Sequence, residues 1–175
     1  MSHYRIEDEF QISRTRYWEM FFDPDYNAAL FEHLDIDCDP IELRREGEGD
    51  DEEILRVQQL TPRRELPSAL KRIAKTAISY EERNHFRRSE NRIKVVTTPS
   101  FMADKLSIRG DYFIEDRGEN KVVRIWDAIC ECRVPFIGKK IESYLIDEIR
   151  NSYASTTEFT HRWIREHPKI APDTA

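Results

Sequence analysis

Apolar and polar residues alternate strictly at the start of the chain. In YRIEDEFQI, Tyr4, Ile6, Asp8, Phe10 and Ile12 fall on one face and Arg5, Glu7, Glu9 and Gln11 on the other, the period-two pattern of a half-buried strand. Ser13 then stands where an N-cap belongs, ahead of a short helix carrying Tyr17, Trp18, Phe21 and Phe22. Asp23 followed by Pro24 repeats the signal, a cap and a first-turn proline, for a second helix running through Leu34 with Tyr26, Leu30 and Phe31 at helical spacing.

Strand-like segments follow around 41–45 and 53–60, separated by EGEGDDEE, whose glycines and packed acids suit a solvated hairpin tip. Pro67 opens a further short helix with Leu70, Ile73 and Ala74 on one side. Four more strands are expected, around 76–83, 91–98, 106–115 and 121–134. In the last two, Leu106, Ile108, Gly110, Tyr112 and Ile114 share one face, and Trp126, Ala128, Cys130, Cys132 and Val134 share one face of the partner, with DRGEN as the turn. Gly110 in mid-strand predicts a bulge or a bend of the sheet.

The long proline-free run from 136 to 164 predicts one C-terminal helix. At 100° per residue, Ile141, Leu145, Ile149, Ser152, Thr156, Phe159 and Trp163 fall in a stripe narrower than a third of its circumference. Large apolar residues anchor both ends of the stripe, and its middle is small and hydroxylated. Two readings follow. Either the small residues let the helix settle on a large side chain such as Trp126, their hydroxyls bonding to the preceding turn, or a bent sheet and a straight helix part company there and leave a pocket. The element order favours an α+β solution in which a strongly curved antiparallel sheet wraps the long helix.

Length and composition add limits. A chain of 175 residues suits a single domain, here expected over 1–166 with a disordered tail at 167–175. Nine Phe, seven Tyr and three Trp supply a bulky interior, and 35% charged residues a solvated surface. A net charge of −6 argues against nucleic acid as partner, because phosphate binding draws on clustered cations. One local basic cluster exists: Arg63, Arg64, Lys71, Arg72 and Lys75, opposed only by Glu65. It reads as a solvated helix face or as a contact for an anionic membrane or ligand. The charged N-terminus and the lack of a long apolar run predict a cytoplasmic protein. The three cysteines form no even framework, in keeping with a reducing compartment.

Chemistry-bearing patterns are sparse. Cys130 and Cys132 point the same way on a strand, but their spacing is too short for a zinc knuckle, so core packing is expected. His33, His85, His161 and His167 show no metal spacing, and the chain has no Gly-rich phosphate loop or nucleophile elbow, so neither a metal nor a cofactor is implied. Asp8, inward between Ile6 and Phe10, needs an arginine partner or exposure, or else is a candidate acid or base.

FFDPDYNAAL after the first strand, ELPSALKRIAK in mid-chain, and VPFIGKKIESYLIDEIRNSY leading to FTHRWI together resemble START-type domains of the SRPBCC, or birch-pollen-allergen-like, superfamily. The nearest likeness is to a bacterial START-like family of unknown function, over roughly residues 4 to 165. The middle and end are also similar to PRELI lipid-transfer and sterol-binding VASt domains. The resemblance implies a helix-grip fold with about seven strands and a hydrophobic cavity between sheet and helix. TAISYEERNHFRRSEN departs from it in being unusually charged.

The combined expectation is a binding protein for a lipid, sterol, isoprenoid or polyketide. Ile141, Leu145, Ile149, Ser152 and Thr156 would line one wall, and Phe10, Val57, Ile108, Tyr112, Trp126, Cys130 and Cys132 the other. The segment 67–75 would be the gate or membrane edge. The rivals are a polyketide cyclase or dehydratase on the same fold, with Asp8 the first group to inspect, and an interaction module with a filled core.

Overall fold

Seven strands pair antiparallel throughout, in the order β1-β7-β6-β5-β4-β3-β2, in a computed structural model that describes residues 1–63 and 79–168. The strands are β1 (Ser2–Phe10), β2 (Ile36–Glu46), β3 (Glu53–Pro62), β4 (Tyr80–Arg87), β5 (Arg92–Pro99), β6 (Leu106–Asp116) and β7 (Val122–Cys132). Two short helices, α1 (Arg14–Phe21) and α2 (Pro24–His33), follow β1, and a long helix, α3 (Gly138–Glu166), ends the described chain. This is the curved-sheet, long-helix architecture expected from the pattern. The helix expected to open at Pro67 and the end of the tail lie outside the described residues. His167, the first residue of that tail, stacks on Trp163 with ring centroids 3.9 Å apart.

The caps form where the sequence places them. The Ser13 hydroxyl accepts from the Arg16 N–H, and the Asp23 carboxylate accepts from the N–H groups of Asp25 and Tyr26, satisfying donors that a helix start leaves open. Trp18 on α1 is 1% exposed and sits 4.7 Å, ring to ring, from Phe86 of β4, with Phe21, Phe22 and Tyr112 around it. This aromatic cluster fills the ground beneath α1. α3 packs on β7 and β1 and meets α2 along its second half.

Three boundaries differ from the pattern. β2 begins at Ile36, directly after a turn in which Asp35 adopts φ 58°, and its ladder slips between Pro40 and Glu42. β4 runs to Arg87 rather than stopping at Arg83, because the turn to β5 is closed by Asn91 N–H to Arg88 O, with Asn91 at φ 49°. Burial along β4 follows strand parity: Arg83 is exposed, whereas Asn84 and Phe86 are buried. α3 starts at Gly138, where a Cβ would come within 2.4 Å of the Cys132 carbonyl oxygen.

Gly110 produces no bulge. The β5 and β6 ladders and the β6 and β7 ladders run through it in unbroken register. A Cβ there would meet Asp127 O at 2.4 Å and Ala128 Cβ at 2.6 Å, so the residue marks the place where the sheet bends too tightly for any side chain.

Candidate functional site

Curvature on one side and a straight rod on the other leave a cavity of about 580 Å³ between sheet and helix, within the range of small-molecule sites. Its helix wall includes Leu145, Ile149, Ser152, Tyr153 and Thr156. The hydroxylated midpoint of α3 therefore faces the space and not a side chain of the sheet. Thr156 Oγ1 donates to Ser152 O at 2.9 Å, so this hydroxyl is satisfied within its own helix. Between the sheet and this stretch of α3 the fold therefore leaves open space.

From the sheet, Ile108, Tyr112 and Trp126 line the cavity as their alternation predicts. Phe10, Cys130, Cys132 and Ile141 do not. They are buried in the core cluster, Phe10 against the rings of Tyr17 and His161. Burial pushes the Cys130 thiol up to about 12, which suits a packing residue and not a nucleophile. Among the described residues no group of three or more His, Cys, Asp or Glu could hold a metal ion.

Val57 is misplaced by the sequence reading. It is buried but on the opposite parity of β3, between Glu42 and Arg83 in the ladders. The residues of β3 that face the cavity are Arg56, Gln58, Leu60 and Pro62. EILRVQQL carries apolar residues on both parities, and only the pairing of the neighbouring strands decides which set turns inward. The charged strand β4 contributes Tyr80, Glu82 and Asn84 to the same wall. Asn84 Nδ2 donates to Glu82 Oε1 at 2.7 Å and Gln58 Nε2 to the same oxygen at 3.3 Å. Part of this wall is thus a built polar surface that hydrophobicity alone could not reveal.

Asp8 finds the arginine it requires. It lies directly opposite Arg124 in the β1 and β7 ladder, and the two side chains form an ion pair in which Arg124 is 2% and Asp8 16% exposed. Arg124 also donates to Thr157 Oγ1 at 2.7 Å and lies over the rings of Phe10 and Tyr153. The signal was present in the sequence: Arg124 shares the parity of Trp126. Beside it the hydroxyls of Tyr17 and Tyr112 are hydrogen-bonded to each other. Burial pushes both hydroxyls up, so they stay protonated. Arg124 and Tyr112 line the cavity, and Asp8 is not among the lining residues.

The cavity extends to the end of the sheet where β3 finishes at Pro62 and β4 begins at Tyr80, both lining residues. The connection between them contains the segment expected to gate it, which lies outside the described residues together with Arg64, Lys71, Arg72 and Lys75. Arg63 is described, and three carboxylates hold it: Asp37 at 2.8 Å, Glu32 at 3.0 Å and Asp35 at 3.5 Å. Arg63 is thus engaged by carboxylates of α2, the turn after it and β2. No helix among the described residues is long and apolar enough to cross a membrane.

A curved seven-stranded antiparallel sheet gripping a long C-terminal helix, with two short helices after the first strand, is the helix-grip fold. The chain belongs to the family described as protein of unknown function (DUF2505), whose model matches residues 5–164. Solved structures with the same fold include norcoclaurine synthase from Thalictrum flavum, 17% identical with a TM-score of 0.61, covering 95% of this chain and 87% of that one. The Zhui aromatase/cyclase from Streptomyces sp. R1128 is 10% identical with a TM-score of 0.59, covering 95% and 94%. TTHA0849 from Thermus thermophilus is 12% identical with a TM-score of 0.58, covering 92% and 95%. At these identities they share the fold. No curated protein matches the chain.

Proposed function

We propose that this protein binds an apolar small molecule, of the lipid, sterol, isoprenoid or polyketide class, in the cavity between the sheet and α3, and that it does so in the cytoplasm. The observation that carries the reading is the open space of about 580 Å³ beside Ser152 and Thr156. An unfilled apolar cavity lowers stability by about 24 cal/mol per Å³, and an apolar guest recovers part of that loss at about 0.8 kcal/mol per buried CH₂. The finer likeness to START, PRELI and VASt lipid-transfer domains belongs to this proposal. The test is native mass spectrometry of the protein as purified. A co-purifying apolar molecule released on denaturation is the expected result; a bare chain that also gains no thermal stability from any of these classes would count against it.

A cyclase-type enzyme is favoured by one observation, the Tyr17 and Tyr112 hydroxyls meeting beside Arg124 at the cavity wall. Its acid would be Tyr112 rather than Asp8. Turnover of the recovered compound by wild type that disappears in Tyr112→Phe, with binding retained, would establish it.

A further inference from the structure

The cavity wall carries a cation that makes no direct ion pair among the described residues: Glu82 favours its charge only through space, from beyond contact distance. Arg56 lines the cavity from the middle of β3, and among the described residues no carboxylate oxygen lies within 4 Å of it. Its Nη1 donates to Asn27 Oδ1 at 3.3 Å and to Phe21 O at 3.5 Å, and the guanidinium lies 4.7 Å from the Phe21 ring centroid and 5.5 Å from that of Phe22. Nε is sealed from solvent without a partner, whereas Nη2 makes no hydrogen bond and is not sealed. Nη2 is therefore the accessible donor left over on a residue that lines the space. Burial lowers the affinity of this guanidinium for its proton, the expected response of a cation removed from water.

The other charges of the wall, Arg124, Glu82 and, from α3, Glu148, are differently placed. Arg124 is neutralised by Asp8. Glu82 stands opposite Gln58 in the ladder, whereas Arg56 faces Asn84, and both amides converge on a single oxygen of Glu82. Stacking on two phenylalanines and a brace from Asn27 hold the Arg56 fork in position, which reduces the ordering cost of engaging a ligand. A buried arginine that makes no direct ion pair is expensive to hold unless a ligand completes its contacts.

We propose that the molecule held in this cavity ends in a carboxylate, and that Arg56 is the residue that binds it. The proposal rests on the apolar-binding reading and narrows its ligand class. A planar carboxylate matches the geometry of a guanidinium fork through charge-assisted hydrogen bonds, and the apolar remainder then lies against Leu145, Ile149 and Trp126.

Calorimetric titration of delipidated protein at pH 8 with decanoate, 1-decanol and decylamine tests it, since the three probes share one tail and differ in the head. Decanoate is expected to bind about tenfold more tightly than 1-decanol. Arg56→Met is expected to abolish that preference while changing the affinity for 1-decanol less than about twofold, and Arg56→Lys to retain part of it. Equal binding of decanoate and 1-decanol by wild type would overturn the carboxylate and leave the apolar site standing. Tightest binding of decylamine would overturn it in favour of a wall carboxylate, Glu82 or Glu148, and no binding by any probe would overturn both readings. Should Arg56→Met not fold, the wild-type comparison of the three heads decides.

Discussion

Glu142 shows how much a single buried carboxylate can organise. It is 1% exposed at the start of α3 and accepts from the Met1 ammonium at 2.7 Å, the Ser2 hydroxyl at 2.7 Å, the Cys132 N–H at 2.9 Å and Lys139 at 3.0 Å. Burial by itself would raise its pKa, but these donors outweigh burial and hold it at about 2, against an ordinary value of 4.5. A folded-state pKa below the unfolded one stabilises the fold fully above pH 4.5 and loses that contribution as pH falls towards 2. Glu142→Gln should therefore lower the urea midpoint at pH 7 and flatten its decline between about pH 5 and 2. Parallel pH profiles for variant and wild type would show that the cluster contributes nothing.

At the scale of elements, the decisive feature is the midpoint of α3. Were Ser152 and Thr156 packed on the sheet, Ser152→Leu or Thr156→Leu would overpack it and cost about 1–3 kcal/mol. Because both line the cavity, each leucine is expected to be accommodated with less than about 1 kcal/mol of destabilisation and to weaken binding of apolar probes by filling their space. Chemical denaturation and calorimetric titration of the same two variants separate these outcomes. The stripe on this helix was readable from its helical periodicity. Its extent was not: Tyr153 also lines the cavity, stacked on Trp126 at 14° between ring planes, so the helix presents more than one row of side chains to the space.

For the whole molecule, an unfilled cavity makes stability depend on its occupant. A ligand at about a hundred times its dissociation constant adds about 2.7 kcal/mol, which for a chain of this size raises the melting temperature by about 5–10 °C. Thermal denaturation of delipidated protein with and without an excess of the recovered molecule should show that shift. A melting temperature indifferent to every apolar compound would mean that the space is not a binding site.

Periodicity, caps and punctuation by themselves determined the order of elements, the curved sheet about a long helix, and the inward faces of β1, β6 and β7, because each depends on residues adjacent in the chain. Asp8 in an apolar face even announced that a cation had to lie nearby. Which cation it was, Arg124 across the β1 and β7 ladder, depended on strand register. Tertiary pairing likewise turned Arg56, Gln58, Glu82 and Asn84 inward in place of Val57, since a one-residue change of parity reverses every side chain of a strand. Arg56 shows the same division: its charge is written in the chain, but its lack of a direct ion pair among the described residues is a property of three-dimensional neighbours, and from that the proposed carboxylate specificity follows.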